Sequence, residues 1–262
     1  MKSDAVKQGP ERTPHRSLLR ALGCTDRDLA QPFVGVINSY NEIVPGHAHL
    51  DRIAAAVKDG VRAAGGTPFE ASTIAVCDGI AMNHAGMKFS LASRELIADS
   101  VESLAEALAF DALVLVASCD KIVPGMLMAA ARLDLPAVIV AGGPMLAGHL
   151  GGQSLDLNSA FLGVGAHARG QISDEELDAI ERACCPGCGS CAGMFTANTM
   201  NCLSEALGMG LPHNGTAPAV SAERMEIARE AGRRVMDLLR RGVTARQVLS
   251  PAAFLNAVTV DM

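Results

Sequence analysis

The sequence predicts an α/β fold: a parallel sheet of about four strands flanked by helices, followed by a helical segment that carries a cysteine-rich loop. Three observations lead there. Short uninterrupted apolar runs, such as Ala112–Ala117 and Ala137–Ala141, mark strands buried on both faces. They alternate with longer segments whose apolar residues recur at helical spacing, the rhythm of a parallel sheet crossed over by helices. Of 262 residues, 49% are hydrophobic, with seven Phe, one Tyr and no Trp, so the chain can bury a real core built from Ala, Val, Leu, Ile and Met.

Residues 1–30 are polar and broken by Pro10, Pro14 and Gly23, and read as an N-terminal arm with one short helix, Ser17–Leu22. The domain is expected over 31–262. Phe33–Ile37 reads as the first strand. Leu50–Ala64 carries Ile53, Ala54, Val57 and Val61 at helical spacing and ends at Gly65-Gly66. Thr73–Val76 reads as the second strand, Ser93–Ala109 as a long amphipathic helix, and Ala112–Ala117 as the third strand. Pro124 suits the first turn of a helix running to Leu133, and Ala137–Ala141 is the fourth strand. Gly148–Gly170, rich in Gly and Ser, reads as a loop. Ser173–Glu176 forms a capping box for a helix to Arg182. Gly193–Gly208 and Ala219–Arg241 read as helices, and another starts at Ser250-Pro251 and still runs at Met262, which suggests a truncated chain.

The formal net charge of −6 argues against a nucleic-acid partner, which needs a basic excess to neutralise phosphates. No apolar run reaches the length of a membrane span, and the polar N-terminus has no signal-peptide character, so a cytoplasmic location is expected. Eight cysteines are unusual for such a chain, and in a reducing compartment they are read as buried thiols or metal ligands rather than disulfides.

In open parallel sheets, ligands bind beyond the carboxyl ends of the strands. Behind the second and third strands stand Cys77-Asp78 and Cys119-Asp120-Lys121, each pairing a thiol with a carboxylate. Thiolates suit iron or zinc, and carboxylates suit magnesium or manganese. A carboxylate flanked by an apolar strand and a Pro-Gly loop needs a cation nearby; Lys121 could supply it as an ion pair with Asp120. Cys185, Cys188 and Cys191 are spaced C-x-x-C-x-x-C, with glycines that let a loop wrap around one centre. Structural zinc is the competing reading. Cys202 reads as core, and Cys24 receives no role. His47, His49 and His84 lie near strand ends, as site-lining groups or on a solvated loop; Met82, Met87, Met126 and Met128 read as packing residues.

Four stretches, from Ser39–His47, Cys77–Glu102, Ser118–Val138 and Ala183–Met209, together resemble the dihydroxy-acid dehydratase family, in a superfamily shared with 6-phosphogluconate and other sugar-acid dehydratases. The resemblance runs from about residue 30 to the end. It implies dehydration of a small-molecule 2,3-dihydroxy acid to a 2-keto acid, as in valine and isoleucine biosynthesis, with a sugar-acid dehydratase as the alternative. It also implies an iron–sulfur cluster, 2Fe–2S or 4Fe–4S, and a magnesium ion. Matching motifs place Cys119 and Cys191 on the cluster, and Asp78, Asp120 and a carbamylated Lys121 on magnesium. Where 2Fe–2S members have a third cysteine ligand this chain has Gly46, so Cys77 or Cys188 would supply any third thiolate. Family members are homodimers roughly twice as long, with a C-terminal β-rich domain bearing another magnesium ligand and the serine base. The resemblance therefore implies an N-terminal fragment, inactive alone, with no catalytic base of its own. Outside the class, a non-catalytic redox or zinc module using only the cysteines is the alternative reading.

Overall fold

A computed structural model describes residues 1–262. Its centre is a four-stranded parallel sheet in the order β2-β1-β3-β4, with β1 (Phe33–Asn38), β2 (Thr67–Ser72), β3 (Ala112–Ala117) and β4 (Ala137–Ala141). Register is parallel throughout, Val36 lying opposite both Glu70 and Val114, and Val116 opposite Val140. The chain steps outward from β1 to β2, then returns to the other side of β1 to begin β3. The strand order therefore reverses between β1 and β3, where parallel sheets open their ligand crevice.

Alternation along the strands divides the core into two layers. Leu113, Leu115 and Ala117 face one way, joining Ile97, Val101, Ile122 and Met126 of α6 (Lys88–Ala107) and α7 (Ile122–Leu133). Ala112, Val114 and Val116 face the other way, onto Ile53, Val57 and Val61 of α4 (Leu50–Ala63) and Ala228, Ala231 and Val235 of α11 (Ala222–Arg241). The predicted sheet, flanking helices and trailing helical segment are all present.

Four local expectations are corrected. The second strand is Thr67–Ser72, not Thr73–Val76. It is an edge strand holding Pro68 and an exposed Glu70, so it lacks the apolar run of a buried strand. Residues 73–77 form the loop that brings Cys77 back over the sheet. Gly148–Gly170 is not a loop: it forms a hairpin, β5 (Gly148–Leu150) and β6 (Gln153–Leu155), then α8 (Leu157–Ala168), whose start is capped by Asp156 and Ser159. Its apolar residues are spread around the helix, with Phe161, Leu162 and Val164 exposed, so no periodicity announced it. The N-terminal thirty residues hold three helices, α1 (Asp4–Lys7), α2 (Thr13–Ala21) and α3 (Asp26–Ala30). They are tied to the sheet by the buried Asp111 carboxylate, which accepts from the Ser3 amide (2.9 Å), the Ser3 hydroxyl (2.5 Å) and the Phe33 amide (2.8 Å). Finally, Met82 and Met87 are exposed rather than packed, whereas Met126 is buried.

The remaining predicted helices agree with the sequence to within a turn, apart from α6, which starts five residues before the predicted Ser93. They include α9 (Asp174–Cys184) with its Ser173–Glu176 capping box, α10 (Thr196–Ala206) and α13 (Pro251–Asp261). Two short helices, α5 (Asp78–Ala81) and α12 (Ala245–Val248), are not expected from the sequence. No helix is long and apolar enough to cross a membrane.

The α4–α11 contact depends on facing glycines. A Cβ on Gly60 would stand 1.9 Å from the Arg229 carbonyl oxygen, and one on Gly232 would stand 2.2 Å from that of Val57. Neither backbone can yield without separating the helices. We expect Gly232→Ala to cost about 3 kcal/mol, the upper range for overpacking; a chemical-denaturation midpoint unchanged from the parent would refute this.

Candidate functional site

The segments behind β1, β2, β3 and the cysteine-rich loop converge on one cavity of about 460 Å³. Cys77, Asp78, Cys119, Asp120, Cys185 and Cys191 line it, with Gly46 and Ser190 at its floor and Ile80, Met82, Met145, Leu157, Phe161 and Phe195 as apolar walls. Cys188 is not among them. It lines a separate pocket of about 140 Å³ with His49, Arg52 and Ser221. The C-x-x-C-x-x-C spacing thus splits, with its outer cysteines facing the cavity and its middle one facing away.

Local structure explains the placement. Asp78 opens α5 and is buried; its Oδ2 accepts a hydrogen bond from the Ser90 hydroxyl of α6 at 2.6 Å, while its Oδ1 is buried without any partner. Lys121 bonds Asp120 and lies 3.5 Å from Asp78 Oδ2, so one ammonium serves both carboxylates. Burial raises the Asp120 pKa, and neighbouring Asp78 reinforces this against the pull of Lys121. Burial acts to lower the Lys121 pKa, but the two carboxylates outweigh it and leave it raised. The ion pair left open in the sequence is present.

The thiols differ sharply. The Cys77 thiol is pushed down to about 6, first by a hydrogen bond from Cys119 and then by the amides of Ile80 and Gly79 at the start of α5. The Cys119 thiol, as donor in that bond and largely buried, is pushed well up. Cys191 is raised to about 11 by burial, with the charges of Cys77 and Asp120 adding to it. No three His, Cys, Asp or Glu side chains close into a compact metal cage by themselves.

The cysteine-rich loop is anchored by backbone. Ser190 N–H donates to Gly143 O (2.9 Å), Met145 N–H to Ser190 O (2.9 Å), and Gly189 N–H to Pro45 O (3.0 Å). Gly189 has φ of +135°, and a Cβ there would lie 2.2 Å from Met145 N, so only glycine lets the loop pass.

His47 and His49 are both buried, against the solvated-loop alternative; His84 is exposed and caps a 3₁₀ turn through Gly86 N–H. The sequence reading missed Ser90 and Asn201. Their only local signals are polar residues on otherwise packed helix faces: Asn201 lies three residues after Asn198 on α10, and both are buried.

At pH 7, iodoacetamide should alkylate Cys77 well ahead of Cys191, because only the former is substantially thiolate. Replacing Cys119 by Ala should slow Cys77 alkylation by raising its pKa. Mass mapping of time points reads both, and equal rates at the two cysteines would count against the assignment.

The model of the N-terminal domain of dihydroxy-acid/6-phosphogluconate dehydratases matches residues 31–262. Proteins named dihydroxy-acid dehydratase from Caldanaerobacter subterraneus subsp. tengcongensis, Desulfosudis oleivorans and Pyrococcus abyssi are 63%, 62% and 57% identical over the whole of this chain. The aligned part is 47%, 48% and 48% of those relatives respectively, so the chain spans about half their length. With the family match covering every residue from β1 onward, the chain belongs to the dihydroxy-acid/6-phosphogluconate dehydratase family.

Proposed function

We propose that this chain is the cofactor-binding part of a dihydroxy-acid dehydratase, converting 2,3-dihydroxy-3-methylbutanoate-type acids to 2-keto acids in branched-chain amino-acid biosynthesis. The observation that carries the reading is the convergence, in one cavity, of thiols and carboxylates from three separate segments. Cys119 and Cys191 would hold an iron–sulfur cluster. Cys77, sharing their cavity, is the better third thiolate than Cys188, which faces another pocket. Asp78, Asp120 and Lys121 would hold magnesium. The donor chemistry fits. Asp78 Oδ1 is a buried acceptor without a partner, which a cation would satisfy, and Ser90 already orients the other oxygen.

When bound, a cluster iron and magnesium supply Lewis acidity, for departure of the C3 hydroxyl and for acidifying the C2 proton. The chain's own groups prepare for this. Asp120 and Asp78 keep Lys121 Nζ between them as an ammonium; addition of carbon dioxide to its nitrogen, with release of two protons to solvent, would turn it into a carbamate whose oxygen could serve as a magnesium ligand. Ile80, Met145, Leu157 and Phe161 give the cavity apolar walls that suit an aliphatic substrate chain better than a polyol. The reading carries a homodimeric assembly and a cytoplasmic location with it, and places the catalytic base outside the residues of this cavity.

The test is anaerobic incubation of the chain with ferrous iron and sulfide. Iron and acid-labile sulfide should be retained, and Cys119→Ser or Cys191→Ser should lose most of both; full retention by either variant would sink the assignment. Changing the matching cysteine in the Caldanaerobacter subterraneus relative should abolish dehydration of 2,3-dihydroxy-3-methylbutanoate, and undiminished turnover there would overturn the reading.

A further inference from the structure

His47 follows β1 and lies completely buried against the end of β3. Its Nδ1 is 2.6 Å from the Ser39 carbonyl oxygen, which can only accept. Its Nε2 is 3.2 Å from the Ser118 amide and 2.9 Å from the Cys119 amide, both of which can only donate. One arrangement satisfies all three contacts: a neutral ring with its proton on Nδ1 and a bare Nε2 accepting two N–H groups. The ring therefore spans the crevice between β1 and β3, where the strand order reverses. Two residues earlier, the Pro45 carbonyl accepts from Gly189 in the cysteine-rich loop at 3.0 Å. The short stretch 45–47 thus holds two of the three segments that bring cysteines to the cavity, those of Cys119 and Cys191. From the far side, Asn201 Nδ2 donates to Ser118 O (3.1 Å), and Asn198 Nδ2, one turn earlier on α10, donates to Cys191 O (3.3 Å).

We propose that His47 is a positioning residue which, by accepting the Ser118 and Cys119 amides, sets where the Cys119 thiol stands relative to Cys191. The geometry of this clamp stands by itself, and its consequence for the cluster rests on the function proposed above. The ring touches the peptide of Cys119 and not its sulfur, so it acts through the backbone. Leucine at 47 removes both ring nitrogens. Glutamine retains an amide oxygen that can reach toward the same donors.

The experiment uses the full chain with three readouts. The first is the ¹⁵N spectrum of the His47 ring, expected to show a proton on Nδ1 alone; a proton on Nε2 overturns the proposal even if every variant fails to fold. The second is the exchange rate of the Cys119 amide proton, expected to rise about tenfold or more in His47→Leu and to be largely restored in His47→Gln; equal exchange in all three overturns it. The third is iron retained after incubation with ferrous iron and sulfide, expected to fall about tenfold in His47→Leu at unchanged far-ultraviolet circular dichroism, and to recover in His47→Gln. Parent-level iron in His47→Leu overturns the proposal. If the parent itself retains no iron, the cluster reading fails, and the first two readouts still decide the clamp.

Discussion

Where β3 and β4 stop, their peptide groups remain buried, and each must find a partner that the sheet no longer provides. Side chains from outside the sheet take over this role. Ser39 donates its hydroxyl to Val116 O, His47 accepts from Ser118 and Cys119, and Asn201 donates to Ser118 O. At the neighbouring strand, Asn214 accepts from Ala141 N–H, and the fully buried Arg224 donates to Ala141 O, Asn214 O and Ala217 O. Leaving any of these groups unpaired would cost about 1–3 kcal/mol each. The strand ends are therefore held by the same elements that build the cavity, and the positions of Cys119, Asp120 and Lys121 follow from that pairing.

Arg224 shows how far the arrangement goes. Its guanidinium has no carboxylate partner and bonds only carbonyl oxygens, and burial lowers its pKa to about 10. It lies directly beneath Gly143, whose φ of +87° turns the chain toward the cysteine-rich loop. The backbone bonds between Gly143, Met145 and Ser190 carry that loop, so α11 and the end of β4 together set its height above the sheet. Inside the cavity negative charge is in excess: one lysine faces two carboxylates, and one acidic thiol stands beside a thiol held protonated. These groups are gathered at the crevice where the strand order reverses, while apolar layers pack on both faces of the sheet.

Much of this was legible in the residues. Phe33–Ile37, Ala112–Ala117 and Ala137–Ala141 are strands because continuous apolar runs have no other stable use in a chain of this kind, and α4, α7, α9 and α11 follow their periodicity and caps. The second strand escaped because an edge strand with Pro68 and Glu70 does not look apolar. Helix α8 escaped because its apolar residues form no stripe. The chemistry of the site was legible as residue types: Cys119-Asp120-Lys121 announces itself by following β3 closely, whereas Cys77-Asp78 stands out as a thiol beside a carboxylate although the strand read in front of it is a loop. Ser90 and Asn201 did not, since a serine or asparagine on a helix is ordinary until its partner, twelve or eighty-three residues away, is known.

The sequence by itself determined three of the four strands, most of the flanking helices and the supply of thiols and carboxylates, because apolar periodicity is a local property. Only the tertiary structure decided which of those groups meet. Cys185 and Cys191 face Cys77 and Cys119, whereas Cys188, midway between them, turns toward His49. His47 and His49 are buried rather than solvated. The physical reason is the same in each case. A side chain's surroundings are set by contacts with segments remote in sequence, and neither spacing nor composition carries information about those partners.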